Sequence, residues 1–261
     1  MKMNSSILTI NHIAKFLEDE LSVHRFPADE RGGVYHPSEQ PVQRIGLALE
    51  PFPDLAKWVT EMDLDALWLH RPWQLDPTHL PHGVGVLAHH LPFDEALTIG
   101  YNTRLFEQLE GLGMPEQLGY KQEVAKGREP IPERPVGMLV DVVEQEFDYW
   151  LNCVKTLFGG YDRAEAGHSS SSWRTANSRI AVVGAMTDAL IREAAERGAH
   201  LYLTGAYRKP GQQAVDETGI AVIAVGHRRC EEWGLRALGD LLQEHLPVEC
   251  VVHHQPQVVR N

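Results

Sequence analysis

Three short apolar runs that each end in a histidine constrain the fold of this chain more than any other feature. Asp65-Ala66-Leu67-Trp68-Leu69 leads into His70, Gly85-Val86-Leu87-Ala88 leads into His89 and His90, and Ile220 to Val225 leads through Gly226 into His227. Continuous apolar runs of this length suit strands buried on both faces. Open α/β sheets hold their ligands beyond the carboxyl ends of such strands. Asp94 stands four residues after His90 and Glu231 four after His227, so in a helix each pair shares one face.

The rest of the chain alternates in the same way. Strands are predicted over Arg44 to Leu49, Gly137 to Val142, Arg179 to Val183, Ala199 to Thr204 and Val248 to His253. Helical spacing predicts helices over Ile10 to Leu21, Phe52 to Met62, Leu97 to Leu112, Val143 to Phe158, Asp188 to Arg197, Gln212 to Thr218 and Trp233 to His245. Pro27 to Pro41 reads as loop, and so does the serine run Ser169 to Ser172 with His168. Strands alternating with helices give an α/β class with parallel pairs and right-handed crossovers. Lys121 to Pro135 is charged and Pro-rich, which predicts a boundary. The expected organisation is a first α/β domain over 1–130 and a second over 131–250, with a tail of about 250–261 packing back onto the first.

Imidazole and carboxylate together suit first-row divalent ions. His70, His90, Asp94, His227 and Glu231 are therefore the candidate metal ligands, enough for one ion, or for two if a carboxylate bridges and water completes the shells. Each also has a structural reading. Asp94 can cap the helix after Pro92, and Glu231 can sit in a first turn for its dipole. His89 faces away from His90 in an extended strand. Cys230, three residues from His227, reads as a small buried apolar residue. Arg71 can clamp an anionic group of a substrate or form a surface ion pair.

Composition narrows the partners. Net charge is −12, from 24 basic and 36 acidic residues, which disfavours nucleic acid and anionic membranes. No apolar run reaches membrane-spanning length, and no signal peptide is read at the start. Three scattered cysteines without a CxxC pair fit a reducing compartment, so the expected location is the cytoplasm. No phosphate-binding loop, GxGxxG, GxSxG or HExxH motif is present.

The motifs together resemble the Ngg-interacting-factor-three-like family, whose bacterial members are often labelled GTP cyclohydrolase type 2 homologues. The strand ending His-His-Pro is His70-Arg71-Pro72 here. Ala-His-x-x-x-Asp with Gly-x-Asn is His90 to Asp94 with Gly100-Tyr101-Asn102. Gly-His-x-x-Thr-Glu is Gly226-His227-Arg228-Arg229-Cys230-Glu231. The likeness covers roughly Arg44 to Val252. It implies two intertwined α/β/α domains with a metal cleft between them, a dinuclear centre of zinc, iron or manganese, and a homohexamer. It places metal ligands at His70, His90, Asp94, His227 and Glu231. Arg71 replaces the family's second histidine, which predicts one ion or a weakened pair, with Arg71 holding an anionic substrate group. The implied activity is metal-dependent hydrolysis of a small nucleotide-like or phosphorylated molecule. The rival expectation is a metal-binding scaffold without turnover.

Overall fold

A computed structural model describes residues 7–124, 130–167 and 177–254. The serine run with His168, and the centre of the Pro-rich stretch at 125–129, lie outside the described residues. The chain divides into two compact units. One is formed by Met1–Phe93 with Leu235–Asn261, the other by Asp94–Gly234.

The first unit is built on five strands: β1 (Gly33–His36), β2 (Arg44–Ala48), β3 (Ala66–Leu69), β4 (Gly85–Ala88) and β11 (Glu249–Val252). Their order is β1-β4-β3-β2-β11. β4, β3, β2 and β11 run parallel, and β1 joins the edge antiparallel to β4. β3 and β4 are buried along their whole length, as expected of a parallel sheet covered on both faces. Helix α2 (Leu55–Glu61) covers one face. Its Leu55 and Val59 pack with Leu67, Leu69 and Val86. On the opposite face Ile10 of α1 (Ile10–Glu20) lies against Gly85. The second half of α8 (His227–His245) lies there too, with Gly239 against Leu47 and Cys250. Gly46 sits under α2, where a Cβ would come within 2.5 Å of Leu64 and 2.7 Å of Trp58.

The second unit holds β5 (Leu112–Lys121), β6 (Arg134–Val143), β7 (Arg163–Glu165), β8 (Asn177–Val183), β9 (Leu201–Thr204) and β10 (Ala221–Ala224). The order is β5-β6-β8-β9-β10-β7. β8, β9 and β10 are parallel, and the other pairings are antiparallel. Helices α6 (Asp188–Glu196) and α7 (Gln212–Thr218) cover one face, burying Ile191, Ala194, Ala214 and Val215 against Ala181, Tyr202 and Val222. The remaining helices are α3 (Leu91–Leu97), within which the division falls, α4 (Thr103–Gln108) and α5 (Phe147–Phe158). The Pro-rich stretch connects β5 to β6 inside one sheet. Across three adjacent strands Arg179 bridges Asp141 at 2.6 Å and Glu116 at 2.9 Å.

The α/β class is the one expected, with differences at several elements. Leu97 to Leu112 is not one helix: α3 ends at Leu97, and Asn102 starts α4 as its cap by accepting from the Arg104 and Leu105 N–H groups. β1, β5 and β7 are additional strands. All three are edge or terminal strands, and β5 is mostly exposed, so none carries a buried apolar run. α5 starts at Phe147, four residues later than the sequence pattern predicts, and α8 runs unbroken from His227, so the turn of helix read after Gly226 and the helix predicted over Trp233 to His245 are one element. Among the described residues no helix is long and apolar enough to cross a membrane. Gly46→Val is expected to destabilise the fold by about 2 kcal/mol through overpacking under α2, measured as a lower urea midpoint at unchanged m-value.

Candidate metal centre

β3 and β4 are neighbours with Trp68 opposite Leu87, so the residues that follow them emerge side by side. His70 is fully buried and His90 half-buried, and their ring centroids are 4.8 Å apart. α3 begins directly after His90, and Asp94 lies in its first turn. One donor atom from each of His70, His90 and Asp94 lies within 4.8 Å of the other two. Metal–ligand bonds of about 2.0–2.2 Å put donors of one ion about 3–4.5 Å apart. Small side-chain rotations close the difference. Two imidazoles and one carboxylate leave coordination positions open for water. The donor set therefore fits a divalent ion.

The histidine beside this group is not solvent-facing. His89 is buried, and its Nδ1 accepts from the Trp68 indole N–H at 3.2 Å. Burial pushes its pKa down to about 4, so it stays neutral at physiological pH. Its backbone carbonyl lies 3.2 Å from His70 Nδ1. A carbonyl can only accept, so His70 carries its proton on Nδ1 and presents Nε2 as the electron-pair donor. The Trp68 ring stacks near-parallel to His70, at 6.2 Å and 13°. Phe93 packs against both, at 4.9 Å from His70 and 4.8 Å from Trp68. Indole, phenyl ring and carbonyl together hold one imidazole in one orientation.

Asp94 is held through its own helix. Its carbonyl accepts from Thr98 Oγ1 at 2.6 Å, and Asn102 Nδ2 donates to the Thr98 carbonyl at 2.9 Å. The Gly-x-Asn signature thus locks the end of α3. The next residue, Glu95, receives Arg134 Nε from β6 at 2.6 Å, and Arg134 is only 3% exposed. Burial raises the Glu95 carboxyl above its ordinary pKa against the pull of Arg134.

His227 and Glu231 open α8. Gly226 turns the chain there at φ +106, where a Cβ would lie 2.7 Å from the Asp162 carboxylate. His227 Nε2 is 3.0 Å from Glu231 Oε1, with His227 exposed and Glu231 buried. The three-residue group does not include them. Cys230 is buried, and its thiol pKa is raised by burial first and then by the charges of Glu231, Asp94 and Asp162. Arg71 pairs with Glu50 at 2.8 Å.

Several residues of this region carry no sequence signal of a site. An open cavity of about 520 Å³ is lined by His70 and His90 and also by Asp29, Glu30, Tyr35 and Trp73. Trp73, next to Pro72, is 67% exposed and meets His90 edge-on at 5.2 Å. An exposed tryptophan directly after a metal-motif proline is the one hint that was available. Arg134→Met is expected to cost about 3 kcal/mol by leaving Glu95 with its partner removed. The double variant with Glu95→Leu should recover much of that loss in urea unfolding.

Two of the relatives that span nearly the whole chain carry the same name. One is the GTP cyclohydrolase 1 type 2 homolog of Allochromatium vinosum, 23% identical over 93% of this chain and 94% of its own length. The other is the same-named protein of Pyrococcus abyssi, 23% identical over 94% and 97%. Among solved structures, Staphylococcus aureus protein SA1388 superposes with a TM-score of 0.69 at 13% identity, covering 98% of this chain and 99% of its own. TTHA1606 from Thermus thermophilus gives 0.65 at 18%, covering 97% and 100%. These likenesses establish the fold. With the match to Duf34/NIF3 (NGG1p interacting factor 3) extending over residues 8–257, the chain belongs to the Duf34/NIF3 family.

Proposed function

We propose that the chain is a metal-dependent hydrolase acting on a small nucleotide-like or phosphorylated molecule. The observation that carries this reading is the convergence of the His70, His90 and Asp94 donors, with both histidines on the wall of an open cavity. A divalent zinc, iron or manganese ion there would supply a water of lowered pKa and a Lewis acid for the bond under attack. His70 presents Nε2 because the His89 carbonyl fixes its tautomer. Asp94 offers a carboxylate whose helix is tied down by Thr98, Asn102 and Glu95. His227 and Glu231 complete the proposed ligand set. A second ion bridged by a carboxylate is part of the proposal and rests on the family likeness. The relatives' name supports the nucleotide-like substrate. Assembly as a homohexamer and a cytoplasmic location are part of the same proposal, and light scattering after size exclusion tests the first.

A metal-binding scaffold without turnover is the second reading. Arg71 favours it, since it stands in place of the family's second histidine and pairs with Glu50.

Elemental mass spectrometry of protein purified without chelator should find one or two ions per chain. Asp94→Ala should lower metal affinity at least about tenfold and abolish hydrolysis in a nucleotide screen with added manganese, iron or zinc. Hydrolysis that survives complete loss of metal would sink the hydrolase reading. Metal retention with no turnover across the screen would select the scaffold. Trp68→Phe should keep the fold and weaken metal binding about tenfold by loosening the shell behind His70.

A further inference from the structure

The cavity beside the histidines has a lining that suits one kind of ligand and repels another. Asp29 and Glu30, from the loop before β1, bring two carboxylates to its wall. Tyr35 and Trp73 bring two aromatic rings, 44% and 67% exposed. No lysine or arginine is among the described residues that line it. Carboxylates accept hydrogen bonds and repel phosphate. Large aromatic rings left in water on a concave wall gain when a flat ring covers them, by stacking and by loss of wetted apolar surface. Trp73 is already steadied at its inner side by His90 at 5.2 Å. About 520 Å³ is within the range of small-molecule sites.

We infer that this cavity takes a flat nitrogen heterocycle bearing amino or ring N–H donors and no phosphate. The ring lies on Trp73 or Tyr35, and its N–H groups reach Asp29 and Glu30. The heterocycle then sits next to the His70–His90–Asp94 group. This narrows the hydrolase reading and rests on it for the chemistry, while the binding itself does not require the metal.

The test is calorimetric titration of the full chain, manganese-loaded and chelator-stripped, with cytidine, guanosine and uridine, with cytidine and guanosine 5′-monophosphates, and with orthophosphate. Cytidine and guanosine should bind. In the chelator-stripped protein their monophosphates should bind at least about tenfold more weakly, through like-charge repulsion, and uridine, which lacks the amino group, more weakly than cytidine. Trp73→Leu, on an exposed side chain, should weaken nucleoside binding about tenfold with metal content unchanged, and Asp29→Asn should narrow the gap between nucleoside and monophosphate. Tighter binding of the monophosphates by the chelator-stripped protein, no nucleoside binding at millimolar concentration, or affinities untouched by both Trp73→Leu and Tyr35→Leu would overturn the inference. Nucleoside binding by a protein that holds no metal and turns nothing over would leave the inference standing and remove the hydrolase reading. Metal-dependent hydrolysis of a phosphate ester without nucleoside binding would do the reverse.

Discussion

Parallel pairing of β2, β3 and β4 is the constraint on which the candidate site depends. Ala66 is held opposite Gly85 and Trp68 opposite Leu87. His70 and His89 then follow two residues beyond a matched pair. That level ending brings the His89 carbonyl to His70 Nδ1 and places His90 at the start of α3. A slip of one residue would turn Trp68 and His70 to the other face of the sheet. The indole would leave His89, and the imidazole would point under α2. Burial of both sheet faces fixes the register, since Leu67 and Leu69 already fill the α2 side. Core packing and the orientation of the candidate metal donors are therefore one arrangement.

Much of this was legible in the sequence because it rests on local pattern. Apolar runs buried on two faces announce themselves without knowledge of partners, so β3, β4 and β10 and the histidines behind them stand out. So does the offset of four that puts Asp94 one helical turn beyond His90. Edge strands leave no such mark. β5 pairs on one side only and exposes Met114 at 83%, so its residues are chosen for solvent as much as for the sheet. The helix predicted from Leu97 onward has apolar spacing that continues through Asn102. Only the side-chain cap, which competes with the backbone ladder, reveals the break. The cavity residues Asp29, Glu30 and Tyr35 come from a segment without periodicity, and only β1 returning beside β4 brings them to His90.

The charge distribution has a similar logic. The chain is acidic by twelve charges, yet several arginines are used internally. Arg134 holds Glu95 on α3, Arg179 ties three strands through Asp141 and Glu116, and Arg71 meets Glu50. An arginine beside a site is read easily as an anion clamp, but its planar fork serves carboxylate neighbours of the same chain equally well. Sequence alone does not separate these uses, because Glu50 lies twenty-one residues from Arg71.

The first unit draws its sheet from both ends of the chain. β11 completes the edge beside β2, pairing Glu249 with Arg44 and Val252 with Leu47. Asp94–Gly234 lies between them as one uninterrupted segment. During synthesis at about 5–20 residues per second, that segment leaves the ribosome whole while β2 still lacks its outer neighbour. The inserted unit has all its strands in hand first. The unit carrying the two histidines must keep an open apolar edge for on the order of ten seconds or more at those rates, until the last strand arrives. Order of emergence thus leaves the histidine-bearing sheet as the stage most exposed to mispairing, and the one at which a chaperone would have most to shield.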